Sequence, residues 1–409
     1  RRDGSETLEQ TACSDSSGEN MKMFIRLFSV LLSIMLFCTG CGVSKENSKS
    51  DVVENKEPTV DDKVEKIVNS MTLEEKVGQI FMVAPEAVDK DGGSTTVFTE
   101  NIEKEVEKYN LGGYILFAAN IENPTQTQEL INGFKKSSKI QPFIGVDEEG
   151  GRVARIGKNS AMGVEKIEPM AQVGKSQNYE RANEIGTTIG KYIKNLGFNL
   201  DFAPDTDVLT DPNNTEIGDR SFGNDPEVVG KMATEVVKGL QSENVSAVLK
   251  HFPGHGGSIG NSHQGFSLSN RTEEELKSCE IVPFKTAIEN GADCVMVAHM
   301  SLPNVTGDNT PATLSKKVVT DMLKTELNFK GVVFSDSMSM GAITENYGTG
   351  DACVKAVKAG IDMVLMPENL EEAYNAVLEA VKNGEISQER LDDAVSRIIK
   401  AKIQRGIIK

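Results

Sequence analysis

The sequence predicts an α/β protein folded as a single (β/α)8 barrel of the TIM type, on three observations. Eight short apolar runs recur along the 409 residues without polar alternation. Parallel strands buried on both faces require that pattern. Amphipathic stretches with helix start signals lie between them. Charged residues follow directly on several of the runs, where the strands of a barrel end and its chemistry sits. A doubly wound open sheet shares the alternation, because periodicity does not report closure.

Strands are expected at 78–84, 111–118, 142–147, 198–203, 245–250, 293–299, 331–336 and 362–365. The first helix signal is Thr72-Leu73-Glu74-Glu75, a capping box. An amphipathic segment at 101–109 follows. Asp225-Pro226 places a capping Asp before a Pro at the first helical position. Thr272-Glu273-Glu274-Glu275 is a second box. Ser315 lies between Leu314 and Val319, and Ser387 between Ile386 and Leu391, at the spacing of a hydrophobic staple.

The N-terminal part reads differently. Residues 1–20 are polar, begin with Arg, and are read as an upstream extension outside the fold. Met21-Lys22-Met23-Phe24-Ile25-Arg26 is a short basic start, and 27–37 is an apolar run too short to span a bilayer comfortably. With Cys38-Thr39-Gly40-Cys41 next, residues 21–40 resemble a bacterial lipoprotein signal peptide. Cys38 replaces the usual Leu three residues before the lipidated position. The resemblance implies lipidation of Cys41 and an extracytoplasmic protein anchored to the bacterial cell membrane. Residues 41–61 are polar and read as a flexible tether, leaving 62–409 for the catalytic barrel.

The formal net charge of −17 and pI near 4.9 argue against a nucleic-acid partner, which needs a basic face. Cys13, Cys38 and Cys41 precede the barrel. Cys279, Cys294 and Cys353 show no paired spacing, hence no disulfide framework and no zinc ribbon. Cys294 sits in an apolar run and is expected to be a buried thiol. No cofactor is expected.

The most informative stretch is 250–263, Lys-His-Phe-Pro-Gly-His-Gly-Gly-Ser-Ile-Gly-Asn-Ser-His, with three of the four histidines. Its glycines and Pro253 are expected to open a loop directly after Lys250. Zinc is a minority interpretation, because Pro253 and Gly254 break any helix that would bring His251 and His255 onto one face. The other strand ends carry Asp147, Asp201 or Asp205, His299 and Asp336. Carboxylates that accept and Lys, Arg and His that donate, converging on one rim, suit a polyhydroxylated ligand. Asp336, after Val332-Val333-Phe334-Ser335, is the nucleophile candidate for a retaining glycosyl transfer. His263 is the candidate acid/base, since imidazole titrates near working pH.

These residues closely resemble the bacterial β-N-acetylglucosaminidases of glycoside hydrolase family 3. The heptapeptide 250–256, Ser262-His263 and Phe334-Ser335-Asp336 carry the likeness. Gly145-Val146-Asp147-Glu148-Glu149-Gly150-Gly151-Arg152-Val153, Phe202-Ala203-Pro204, Arg220-Ser221-Phe222-Gly223, Pro311-Ala312-Thr313-Leu314-Ser315 and the 387–402 helix support it. The resemblance covers about 62–405 and implies a (β/α)8 barrel with a retaining double displacement. By position it makes Asp336 the nucleophile and His263 the acid/base. Asp147, Arg155, Arg220, Lys250 and His251 would bind the GlcNAc ring, and the substrate would be a GlcNAc-containing glycan or muropeptide. The family's pattern has Asp two residues before the catalytic His, where this chain has Asn261. Asn can orient the imidazole but brings no charge. A GlcNAc phosphorylase, a sugar-binding lipoprotein impaired in catalysis and, more distantly, a zinc hydrolase are the competing functions.

Overall fold

The computed structural model describes residues 58–409 apart from 90–91, 261–264 and 266. The segment read as a signal peptide, Cys41, and most of that read as a tether lie outside the described residues. The first helix, Val60–Ser70, overlaps the end of the segment assigned to the tether.

The barrel strands are β1 (Phe81–Val83), β2 (Gly113–Ile115), β3 (Phe143–Val146), β4 (Leu200–Asp201), β5 (Ser246–Phe252), β6 (Cys294–Val297), β7 (Val332–Ser335) and β8 (Val364–Leu365). They pair in parallel in chain order, and β8 returns to β1 through Phe81 opposite Val364. A parallel bridge between Phe334 and Met363 joins β7 to β8 and completes the ring. The sheet is therefore closed, as expected, and not an open doubly wound sheet. Each expected apolar run holds one strand. Side chains from distant strands meet inside: Phe334 lies edge-on to Phe202 at 5.5 Å between centroids, with Phe143 at 6.5 Å.

Helix starts follow the sequence signals. Thr72 and Thr272 form both capping boxes, and Asp225 accepts from Glu227 and Val228 ahead of Pro226–Ser242. Ser387 accepts from Arg390 at the start of Gln388–Gln404. Three local expectations need correction. The first strand is short, because helix Leu73–Gln79 takes up the beginning of the 78–84 run. Strand β5 continues through His251 to Phe252 instead of opening into a loop after Lys250, because Lys250 still bridges to Asp205 and Phe252 still pairs with Val297 of β6. Ser315 makes no side-chain cap; the following element is a π-helix, Lys317–Glu326, with Ser315 supplying only its carbonyl to Val318 and Val319.

Two small sheets sit at the C-terminal ends of the strands. Glu148–Gly150 and Val153–Ala154 form a hairpin after β3. Ile259–Gly260, Ser267–Leu268 and Met300–Ser301 form a three-stranded sheet after β5 and β6. Cys294 and Cys353 are buried thiols and Cys279 is half-buried; all three are unbridged. Burial pushes the Cys294 thiol well up, and that of Cys353 to about 12.

Candidate active site

Strand β3 ends at Val146, and the next three residues, Asp147, Glu148 and Glu149, are all acidic and take three different environments. Glu148 turns inward. It accepts the N–H groups of Arg155, Ile156 and Gly157 at 2.7–2.8 Å and the Tyr192 hydroxyl at 2.8 Å. This pulls the strand back on itself, and Gly150 and Gly151 supply the positive φ the turn needs. The returning strand brings Arg155 to Asp147 Oδ2 at 3.3 Å. Burial raises the Glu148 carboxyl, against those donated hydrogen bonds.

Glu149 is the anchor of a buried ion network. Arg220 grips both of its oxygens, Nε to Oε2 at 2.9 Å and Nη2 to Oε1 at 2.8 Å. Lys250 Nζ reaches Oε1 at 2.7 Å and Asp147 Oδ1 at 2.9 Å. Burial would push the Glu149 carboxyl up, but Arg220 and Lys250 together hold it well below the usual range. Burial likewise works against the Lys250 ammonium, yet Asp147 and Glu149 leave it raised. Charge-assisted, bidentate contacts of this kind fix geometry as well as charge.

Lys250 and His251, joined by a cis peptide bond, lie near the end of β5 and both line the cleft. His251 Nδ1 lies 2.7 Å from Asp207 Oδ2, and its Nε2 lies 3.4 Å from Arg220. Burial opposes the imidazolium, but Asp207 raises the His251 pKa overall. His255 is held down by burial and by the charge of His251. The glycines between and after them allow close packing. A Cβ on Gly254 would lie 2.4 Å from Glu280 Cβ, and one on Gly256 would lie 2.0 Å from the Val208 carbonyl. Neither position accommodates a side chain.

Asp336 follows β7 directly. Its N–H donates to Val297 at 3.0 Å, and its Oδ1 accepts the Ser337 N–H at 2.7 Å. Asp336 faces the same cleft as Asp147, Glu149, Arg155, Arg220, Lys250 and His251, a cavity of about 430 Å³ closed below by Phe202 and Met296. That volume is within the range of small-molecule sites.

Six of the sequence-selected residues thus meet in one cleft: Asp147, Arg155, Arg220, Lys250, His251 and Asp336. Asn261 and His263 lie outside the described residues. Asp201 is wholly buried behind the cleft, accepting the Glu148 N–H at 2.9 Å. His299 is not in the lining; it spans Thr313 Oγ1 at 2.8 Å and the Ser337 carbonyl at 2.9 Å, beneath the turn after Asp336. Sequence reasoning missed Glu149 and Asp207. Glu149 stands in the 145–153 motif of the family resemblance, but nothing there singles it out from Glu148. Asp207 carried no signal, since its partner His251 is 44 residues away.

Among the described residues, Asp205, Asp207 and His251 form one group whose ligand atoms lie within 4.8 Å of one another. Arg220 already stands 3.5 Å from Asp205 Oδ2 and 3.4 Å from His251 Nε2, so the group carries its own cation.

Fold and site together define a (β/α)8-barrel protein with an acid–base cleft at its strand ends. The chain belongs to glycoside hydrolase family 3: residues 72–401 match the Glycosyl hydrolase family 3 N terminal domain. It is 31% identical over 332 residues to Beta-hexosaminidase A of Pseudoalteromonas piscicida, covering 75% of this chain and 56% of that one. It is 33% identical over 302 residues to Beta-hexosaminidase LpqI of Mycobacterium tuberculosis, covering 72% and 76%. A glycoside hydrolase family 3 β-N-acetylglucosaminidase structure from Paenibacillus sp. str. FPU-7 superposes with a TM-score of 0.77 at 36% identity, over 83% of this chain and 63% of that one. The chain therefore spans less than two thirds of the length of the Pseudoalteromonas and Paenibacillus relatives.

Proposed function

We propose that the protein is a retaining exo-β-N-acetylglucosaminidase that removes terminal GlcNAc from peptidoglycan-derived fragments. The observation that carries this is the position of Asp336. A strand-end carboxylate, fixed by the Ser337 N–H, faces a cleft that the Asp147–Lys250–Glu149–Arg220 network also lines. Family membership and the hexosaminidase activity named for the relatives support the same reading.

In this mechanism an Asp336 oxygen attacks the anomeric carbon and the bond to the leaving oxygen breaks. His263 gives that oxygen a proton. His263 then takes a proton from water, which attacks the anomeric carbon and releases Asp336. Asp147, Arg155, Arg220, Lys250 and His251 hold the sugar's hydroxyl and acetamido groups, and Asn261 orients His263. Asp147 is already paired with Arg155 and Lys250, and Glu149 with Lys250 and Arg220, so the wall offers ordered donors and acceptors and needs little reorganisation on binding.

The basic start, apolar run and Cys41 of the N-terminal segment support lipid anchoring and an extracytoplasmic location. Among the described residues no helix is long and apolar enough to cross a membrane. Release of p-nitrophenol from its β-GlcNAc glycoside, with and without inorganic phosphate, tests the proposal. GlcNAc as product supports it. GlcNAc-1-phosphate would make the protein a phosphorylase, and GlcNAc binding without turnover would make it a sugar-binding lipoprotein.

A further inference from the structure

Residues 205–207 run beneath the cleft and touch both of its sugar-facing cationic segments. The Asp207 carboxylate is completely buried and receives three N–H contacts. They come from His251 Nδ1 at 2.7 Å, the His251 backbone at 3.2 Å and the His255 backbone at 2.6 Å. The Asp207 carbonyl accepts the Ser221 hydroxyl at 2.6 Å, which ties down the residue after Arg220. Thr206 N–H donates to the Lys250 carbonyl at 2.6 Å, and Asp205 bridges to Lys250 in parallel. Asp205 is also completely buried, and its Oδ2 faces Arg220 at 3.5 Å. One short segment therefore braces the end of β5 against the Arg220 turn.

We propose that Asp205 and Asp207 are positioning residues for sugar binding: Asp207 fixes the His251 ring and the turn to His255, and Asp205 holds the edge of the Arg220 guanidinium. The inference rests on the proposed glycosidase function only for its kinetic consequence. Neither carboxylate lines the cleft, so each acts through its neighbour.

The charges fit this role. The buried pair Asp205 and Asp207 lies against Arg220 and His251, two carboxyl groups against two groups that can carry positive charge. Burial and the adjacent Asp207 raise the Asp205 carboxyl to about 7, with Arg220, His251 and Glu149 as the other charged groups facing it. Asp207, although buried, is kept low by His251 and His255. Above its pKa, Asp205 is an anion and supports both Arg220 and the His251 imidazolium. Below it, that support is lost, so KM is expected to rise as pH falls through the neutral range.

The test uses the full chain and two readouts. With only four histidines in the sequence, selective ¹⁵N-histidine labelling resolves each ring, and His251→Gln assigns one of them. In Asp207→Asn the titration midpoint of His251 is expected to fall by about one pH unit or more. KM for the chromogenic β-GlcNAc substrate is expected to rise about tenfold or more, with kcat within about threefold of wild type. An unchanged His251 midpoint, or a loss confined to kcat, overturns the proposal. If wild type shows no turnover, the glycosidase function fails, while the His251 titration still decides the positioning claim. If Asp207→Asn does not fold, Asp205→Asn decides: it leaves the hydrogen bonds of His251 to Asp207 in place and is expected to flatten the rise of KM at low pH. A wild-type pH profile of KM in Asp205→Asn overturns the proposal.

Discussion

Glu149→Gln removes the charge on which the cleft wall is built. In wild type the carboxylate is 3% exposed and makes three charged contacts, two to Arg220 at 2.8 and 2.9 Å and one to Lys250 at 2.7 Å. The amide keeps one acceptor but turns an NH2 group against a cation. Removing one partner of a buried ion network costs about 3–5 kcal/mol, because the remaining charge stays buried and uncompensated. Asp147 still holds Lys250 at 2.9 Å, and Asp205 still faces Arg220 at 3.5 Å. The expected loss is therefore at the lower end, about 3 kcal/mol. Urea unfolding near neutral pH measures it, as a lowered midpoint at unchanged slope. The pH dependence has a definite sign. Glu149 has a folded pKa below its unfolded one, so its stabilisation is complete above the usual carboxylate range and is lost as pH falls through the depressed folded value. The gap between wild type and Glu149→Gln should narrow in acid. KM should rise as well, since Arg220 and Lys250 lose their common anchor. A stability loss below about 1 kcal/mol, the size of an exposed ion pair, would refute the reasoning.

Lys402 is completely buried, with Gln79 Oε1 at 2.9 Å and the Phe143 ring at 5.3 Å, and burial alone pushes its ammonium from 10.5 down to about 7. The unfolded chain then holds more protons than the folded one between those values, so wild-type stability should rise with pH there. Lys402→Met should be more stable at neutral pH and lack that rise in urea titrations; an unaltered pH profile would count against it. Asn261→Asp should increase kcat by about tenfold or more by supplying charge to the imidazolium of His263. An unchanged kcat would show that Asn already orients the ring adequately.

The barrel was legible because its strands are unbroken apolar runs, and such runs at helix-separated intervals have few other uses. Their ends were less legible. A strand here stops where pairing stops, as at Val83 and Ile115, although the apolar run continues. At β5 the opposite happened: polar Lys250 and His251 stay in the strand because Lys250 still bridges to Asp205 and Phe252 still pairs with Val297. The cleft residues recognisable from sequence were those with a strand-end position or a motif around them, such as Asp336 and Lys250. Glu149 and Asp207 were not, because their roles come from partners 71 and 44 residues away. Nothing local distinguishes Asp207 from a turn residue. Ser315 failed as a cap because the element after it is a π-helix with Lys316 at the cap position.

The most direct test of the proposed chemistry compares the full chain with Asp336→Asn on the chromogenic β-GlcNAc substrate. Wild-type turnover that falls about 10³-fold or more in the variant, with GlcNAc affinity retained, is expected of a covalent nucleophile. Turnover that survives the substitution would contradict Asp336 as nucleophile and with it the retaining mechanism.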